Sequence, residues 1–275
     1  MKLLQVIVAL LFLNSCHLEL ILSQETRATS LQSISSVGLL VSSYVIDIEK
    51  FTEQCNYTYD PSICASNEML LGLKTVNMQL AASFSSKSTT FAIENEENQN
   101  VMITAGHVCN EFDNISETVT SAMSAFVFGA MNEMSLEAVK IISVYDISGN
   151  KYRVLDTIYS HPDKPDICLF NIDRPFPSTI QLSDELPTLG DRVTNIAVPY
   201  GIFGKKTIPI FQGIYSGQKN KHNHVYTISA GPGSSGSPIL YNNKLVGIIH
   251  SVDRRINQIS YATPLNIIRD IIELE

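Results

Sequence analysis

Three polar residues, far apart in the chain, have the types and settings needed for acyl transfer. The run Gly233-Ser234-Ser235-Gly236-Ser237-Pro238 surrounds a serine with small residues and closes on a proline. Such a run suits a tight turn whose backbone N–H groups face one spot, the setting a hydroxyl nucleophile needs beside an oxyanion hole. The second residue is His107, in Ile103-Thr104-Ala105-Gly106-His107-Val108-Cys109, after the alternating stretch Thr89-Thr90-Phe91-Ala92-Ile93. A histidine among small residues just beyond a strand can reach outward as a general base. The third is Asp166, at the head of the apolar run Ile167-Cys168-Leu169-Phe170. A carboxylate entering a buried strand needs a partner, and an imidazole N–H is the obvious one. Two rival acids fit less well, because Asp163 lies in the turn His161-Pro162-Asp163-Lys164-Pro165 and Asp173 ends the strand. Taken alone, a histidine or aspartate of this kind is more often structural. The order His, Asp, Ser, each in a fitting context, points to hydrolysis through a serine nucleophile.

The elements that must position these residues are short and strand-like. Alternating or apolar stretches at 89–94, 101–104, 125–128, 139–146 and 152–159 are split by polar turns such as Ser148-Gly149-Asn150. The segment 174–187 is Pro-rich and is expected to cross between two halves. Strands then recur through Tyr261, and a helix is predicted over 264–274. Pro264 suits its first turn, and Leu265, Ile268, Ile271 and Ile272 form its apolar face.

With these motifs in place, the chain resembles the trypsin-like (chymotrypsin-fold) serine peptidases, in particular the HtrA/Deg-like and glutamyl-endopeptidase branch. The likeness extends from about Ser83 to the C-terminus. Gly190-Asp191-Arg192-Val193 leading to Ile196-Ala197-Val198-Pro199-Tyr200-Gly201 is similar to the family's strand and turn opening the second barrel. Gln212-Gly213-Ile214-Tyr215-Ser216, Lys244-Leu245-Val246-Gly247-Ile248-Ile249 and Ile259-Ser260-Tyr261-Ala262-Thr263-Pro264 resemble its later strands. The resemblance implies an all-β fold, two packed antiparallel β-barrels with a C-terminal helix and an N-terminal extension. Its site would lie in the cleft between the barrels. The implied organisation is a signal peptide at 1–23, an extension at 24–82 and a peptidase domain at 83–275.

The resemblance also implies roles. Ser235 would attack the scissile carbonyl, His107 would take and return its proton, and Asp166 would hold the imidazole tautomer. The amides of Gly233 and Ser235 would receive the oxyanion. Ser229, Ala230 and Pro232 would border the primary pocket, with Ile249, His250 and Ser251 along one wall. No buried aspartate is present there to select Lys or Arg, so a neutral side chain is expected. Two readings of His250 stay open at this point. It either buttresses the region of Asp166 or meets an acidic substrate side chain, as a nearby histidine does in glutamyl endopeptidases. Two departures from the family matter. Ser234 stands where digestive enzymes carry the aspartate that pairs with a new N-terminus, so the oxyanion hole is expected to form without internal cleavage. Ser237 replaces a usual glycine and is read as harmless.

Composition bounds the remaining classes. The formal net charge is −8 among 275 residues, which argues against a nucleic-acid partner because phosphate binding needs clustered Lys and Arg. No cofactor and no metal are expected, since neither Cys-x-x-Cys nor His-x-x-x-His spacing occurs. Met1-Lys2 followed by an apolar stretch from Leu3 to Leu13 reads as a secretory signal. The alternative is a lipobox at Leu13-Asn14-Ser15-Cys16, which would tether Cys16 to a membrane. The expectation is a secreted or extracytoplasmic monomer acting on polypeptides. A disulfide between Cys55 and Cys64 would close a polar loop. Cys109 and Cys168, each two residues beyond a triad member, would form either a second bridge or two buried thiols. In the extension, 66–80 has helical spacing. Two further functions compete: an inactive binding protein on this fold, which would be expected to lack a triad member, and an esterase. An esterase elbow would read Gly-x-Ser-x-Gly with the order Ser, Asp, His; here position 237 is serine and histidine comes first.

Overall fold

The computed structural model describes residues 31–46, 85–93, 101–110, 138–161, 165–253 and 258–274, together with 52, 53, 55, 56, 74, 77, 78, 255 and 256. The signal segment, the strand expected at 125–128 and Cys64 lie outside the described residues, as does the 66–80 helix apart from those isolated positions.

Strands β1 (Val37–Ile46), β2 (Ser86–Ala92), β3 (Val101–Thr104), β4 (Ala138–Tyr145), β5 (Lys151–His161) and β6 (Ile167–Ile172) close a barrel in the order β1-β2-β3-β6-β5-β4. A second closed barrel contains β7 (Arg192–Ile196), β8 (Ile210–Asn220), β9 (Asn223–Tyr226), β10 (Pro238–Tyr241), β11 (Lys244–Val252) and β12 (Ser260–Pro264). Its order is β10-β11-β12-β9-β8-β7. Neighbouring strands are antiparallel throughout, and closure leaves neither barrel an open edge. A short helix, α1 (Gly106–Asn110), follows β3, and α2 (Leu265–Leu274) closes the chain.

One apolar cluster runs through both barrels. It joins Phe91, Ile103 and Leu169 of the first to Val198, Leu240 and Ile248 of the second, with Ile268 and Ile271 of α2 packed against them. The spacing of Leu265, Ile268 and Ile271 turns one side of α2 inward, as its sequence pattern requires. The Pro-rich crossover is hydrogen-bonded to both barrels. The Ile180 N–H donates to the Ala92 carbonyl at 2.8 Å, and Leu245 donates to Gln181 at 2.8 Å.

One boundary differs from the sequence reading. Val37 to Val41 falls in the segment expected as an extension, yet it opens β1, which pairs with β2 on one side and β4 on the other. The first barrel therefore begins well before Ser83. The strand is hard to read because buried Ser42 interrupts its apolar pattern and buried Ser36 precedes it. Ser42 is tolerated inside because its hydroxyl meets that of Ser86 at 3.2 Å. Cys109 and Cys168 form a disulfide, which closes the choice left open above. Cys55 is also disulfide-bonded. Among the described residues, no helix is long and apolar enough to cross a membrane.

Candidate active site

The pairing of β3 with β6 explains why His107 and Asp166 meet. Thr104 lies opposite Cys168 in an antiparallel register, so residues just past Thr104 face residues just before Cys168. His107 falls on α1 and Asp166 at the mouth of β6. The Asp166 carboxylate accepts twice from the same residue: Oδ1 from the His107 backbone N–H at 2.8 Å, and Oδ2 from Nδ1–H at 2.8 Å. A carboxylate can only accept, so Nδ1 carries the proton and Nε2 is left with its lone pair. Ser235 Oγ lies 3.0 Å from that Nε2. From the second barrel, Thr263 Oγ1 donates to the Asp166 backbone carbonyl at 3.1 Å. The disulfide then ties the end of α1 to β6, two residues from each member of the pair.

Ser235 is presented by a turn between the two barrels. Gly233 and Gly236 have φ of 94° and 84°, a region that only glycine adopts without strain. A Cβ on Gly233 would come 2.6 Å from the Val198 carbonyl, and one on Gly236 would come 2.2 Å from the Thr89 carbonyl. The glycines of the motif are thus required by both conformation and space. Among the described residues, the amides of Gly233 and Ser235 donate to no protein acceptor. Buried Ser234 is used locally, its Oγ accepting from the Gly231 N–H at 3.2 Å. Ser237 is fully buried and accepts from Asn195 Nδ2 at 2.8 Å, which accommodates its departure from glycine.

The expected pocket residues are dispersed in character. Ser229, Pro232 and Ser251 are exposed, and Ala230 and His250 are half-buried. The Ile249 side chain does not line an opening but packs in the second barrel's core with Tyr226 and Val246. Its backbone supports the Ser235 turn, accepting from Gly236 at 2.7 Å and donating to Ser237 at 2.9 Å. His250 Nε2 lies 2.8 Å from Asn223 Oδ1, whose amide group donates in turn to Asn220. That bond fixes the His250 proton on Nε2, and Nδ1 faces the Asp166 carboxylate at 3.8 Å, beyond hydrogen-bond reach. Burial pushes the His250 pKa below its ordinary value. The Asp166 charge opposes this shift and His107 adds to it.

Two residues near the site escaped the sequence reading. Asp253, just past the wall strand, looks like an acid that could greet a cationic substrate. Its carboxylate is instead held by Arg255 and Tyr261, which bring its pKa to about 2. Thr89 is the other. Its hydroxyl donates to the Gly233 carbonyl at 2.7 Å and accepts the Val198 N–H at 2.9 Å. Nothing in its sequence setting marks it, because both partners lie more than 100 residues away.

Comparison with known proteins agrees with this architecture. The model of the trypsin-like peptidase domain matches residues 88–248. No curated protein matches the chain. Among solved structures, the fold is similar to the active form of the Rv3671c protease from M. tuberculosis, at 11% identity and a TM-score of 0.53. That match covers 88% of this chain and 81% of the other. It is also similar to the serine endoprotease from Yersinia pestis, at 15% identity and a TM-score of 0.55, covering 90% and 65% respectively. At such identities the likeness speaks for the fold alone.

Proposed function

Because the chain belongs to the trypsin-like peptidase family, we propose that it is a secreted serine endopeptidase working through His107, Asp166 and Ser235. The observation that carries this reading is the unbroken contact from Asp166 Oδ2 through both ring nitrogens of His107 to Ser235 Oγ, at 2.8 and 3.0 Å. His107 Nε2 takes the hydroxyl proton as Ser235 Oγ adds to the scissile carbonyl. The resulting oxyanion is received by the Gly233 and Ser235 amides. Collapse breaks the C–N bond, and the proton held on Nε2 passes to the leaving amine. Water then adds to the acyl-enzyme with His107 as base once more, and the acid product leaves.

The geometry of His250 favours a neutral or apolar P1 side chain over glutamate. One of its nitrogens is bound to Asn223 and the other faces Asp166, so neither is left to meet a substrate carboxylate. Ser229, Ala230 and Pro232 then border a neutral site, with the backbone of 249–251 beside it. The disulfide agrees with an oxidising compartment, where such bridges persist.

The test is cleavage of a mixed peptide library by the purified mature chain and by Ser235→Ala. We expect internal cuts by the first alone, clustered after neutral residues. Equal cleavage by both would overturn the serine mechanism, and cuts confined to positions after glutamate would overturn the pocket.

A further inference from the structure

Four consecutive carbonyls in the nucleophile turn are pinned. Pro232 C=O accepts from the Tyr200 N–H at 2.6 Å, Ser234 C=O from the Ser237 N–H at 3.1 Å, and Ser235 C=O from the Thr89 N–H at 3.0 Å. Gly233 C=O accepts from the Thr89 hydroxyl at 2.7 Å. In a trans peptide the C=O and N–H point to opposite sides, so pinning each carbonyl aims the amide that follows it. The Pro232 and Ser234 carbonyls aim the Gly233 and Ser235 amides, the two donors assigned to the oxyanion. The link between them runs through Gly233, whose missing Cβ and positive φ make peptide rotation easy. Two bonds hold its ψ: the Ser234 N–H of the same peptide donates to the Gly231 carbonyl at 2.9 Å, and the Gly233 carbonyl is the handle on the opposite side.

We propose that Thr89 is the positioning residue of the oxyanion hole, its hydroxyl latching the Gly233 peptide from the opposite barrel. This rests on the peptidase reading above and deepens it. A hydroxyl has one proton, and here a carbonyl that only accepts and an amide that only donates fix its rotor completely. The Val198 N–H orients the hydroxyl, and the hydroxyl orients Gly233. Thr89 is itself immobile: it is fully buried on β2, and its carbonyl accepts from Thr104 Oγ1 at 2.8 Å. Of the four anchors, only this one is a side chain, so only this one can be deleted by substitution. It also supplies from within the fold what a freed N-terminus would supply in relatives with aspartate at position 234.

The neighbouring Thr90 provides a matched control. It has the same type, strand and burial, but its hydroxyl donates to Ile103 at 2.8 Å inside the first barrel. The experiment compares full-length wild type, Thr89→Val, Thr89→Ser and Thr90→Val in steady-state peptide cleavage. Amide hydrogen exchange across 231–236 is followed in the same four proteins without substrate. We expect Thr89→Val to lower kcat between about 10- and 100-fold with little change in KM, less than the loss from deleting an oxyanion donor outright. Exchange in 231–236 should rise. Thr89→Ser should restore both, and Thr90→Val should change neither even where it lowers thermal stability. Unchanged exchange in Thr89→Val overturns the latch, and raised exchange with wild-type kcat overturns its role in catalysis. If wild type and Ser235→Ala are equally inert, the peptidase reading fails, while exchange still decides the latch.

Discussion

The first barrel offers His107 on the short helix that follows β3 and Asp166 at the mouth of the paired β6, whereas the second offers Ser235 on a turn outside any strand. The acid–base pair is held by side chains, by the double contact of the Asp166 carboxylate with His107, and by one covalent tie. The Ser235 turn is held mainly by backbone hydrogen bonds that glycine makes possible, with the Thr89 hydroxyl reaching the Gly233 carbonyl from the other barrel and Ser234 and Asn195 adding local side-chain bonds. Under the proposed mechanism, the difference follows from what each group must do. An imidazole must keep one tautomer and pass a proton, which a charged partner enforces. A serine beside an oxyanion hole must present two amides in one direction, which only main-chain geometry enforces. Substitutions in the first barrel should therefore act through charge and covalent connection, and those in the second through shape.

The largest expected effect separates these two modes directly. Asp166→Asn keeps the shape of the side chain but can present an N–H to His107 in place of an acceptor. We expect kcat to fall by about 10⁴-fold, as when the wrong tautomer is imposed on such a triad. Thermal unfolding should move little. A loss below about tenfold would mean that the contact with His107 is structural only.

Legibility in the sequence divides along the same line. The three residues that meet in space were readable: His107, Asp166 and Ser235 each stand out as a polar residue in a context that disfavours it. The strands of the second barrel were readable too, since 190–201 and 244–264 carry strong turn and apolar signals. β1 was not, because its partner β4 begins about a hundred residues later and buried Ser42 masks the alternation. Thr89 was equally silent, for a hydroxyl's partner is set by the tertiary fold. That the Ile249 side chain packs in the second core was not legible either, because position on a strand does not tell which face a side chain takes. A site is thus legible where unusual residue types gather and illegible where ordinary residues act through long-range contact.

A smaller effect tests the covalent tie. α1 has five residues, too few to hold itself, so the bridge from Cys109 to Cys168 is what anchors the end beyond His107. The bridge spans 59 residues, for which loop entropy gives about 4 kcal/mol. Replacing both cysteines with alanine should lower the thermal midpoint by roughly 10 °C. Activity at low temperature should fall as well, because His107 loses its footing. Full activity in the double variant would place the tie outside the site. Ser237→Gly is the counterpart in the second barrel. It removes one of two acceptors from buried Asn195 Nδ2 and should cost about 1–2 kcal/mol with kcat preserved.

The smallest effect concerns the point where the two barrels meet, at His250. Asp166 and His107 face it from the first barrel, and Asn223 faces it from β9. Burial lowers its pKa in the folded protein below the unfolded value of about 6.5. Above that value the imidazole is neutral in both states and contributes nothing to pH dependence. As pH falls below it, the unfolded chain takes up the proton first, so stability drops until the folded-state pKa is reached and then levels off. Buried His224 on β9 shifts in the same direction for the same reason and adds a parallel slope. His250→Gln should therefore flatten part of the acid-side decline in urea stability without abolishing it. An unchanged slope would mean that folded and unfolded chains bind the His250 proton alike, so that the Asp166 charge offsets burial at the meeting point of the two barrels.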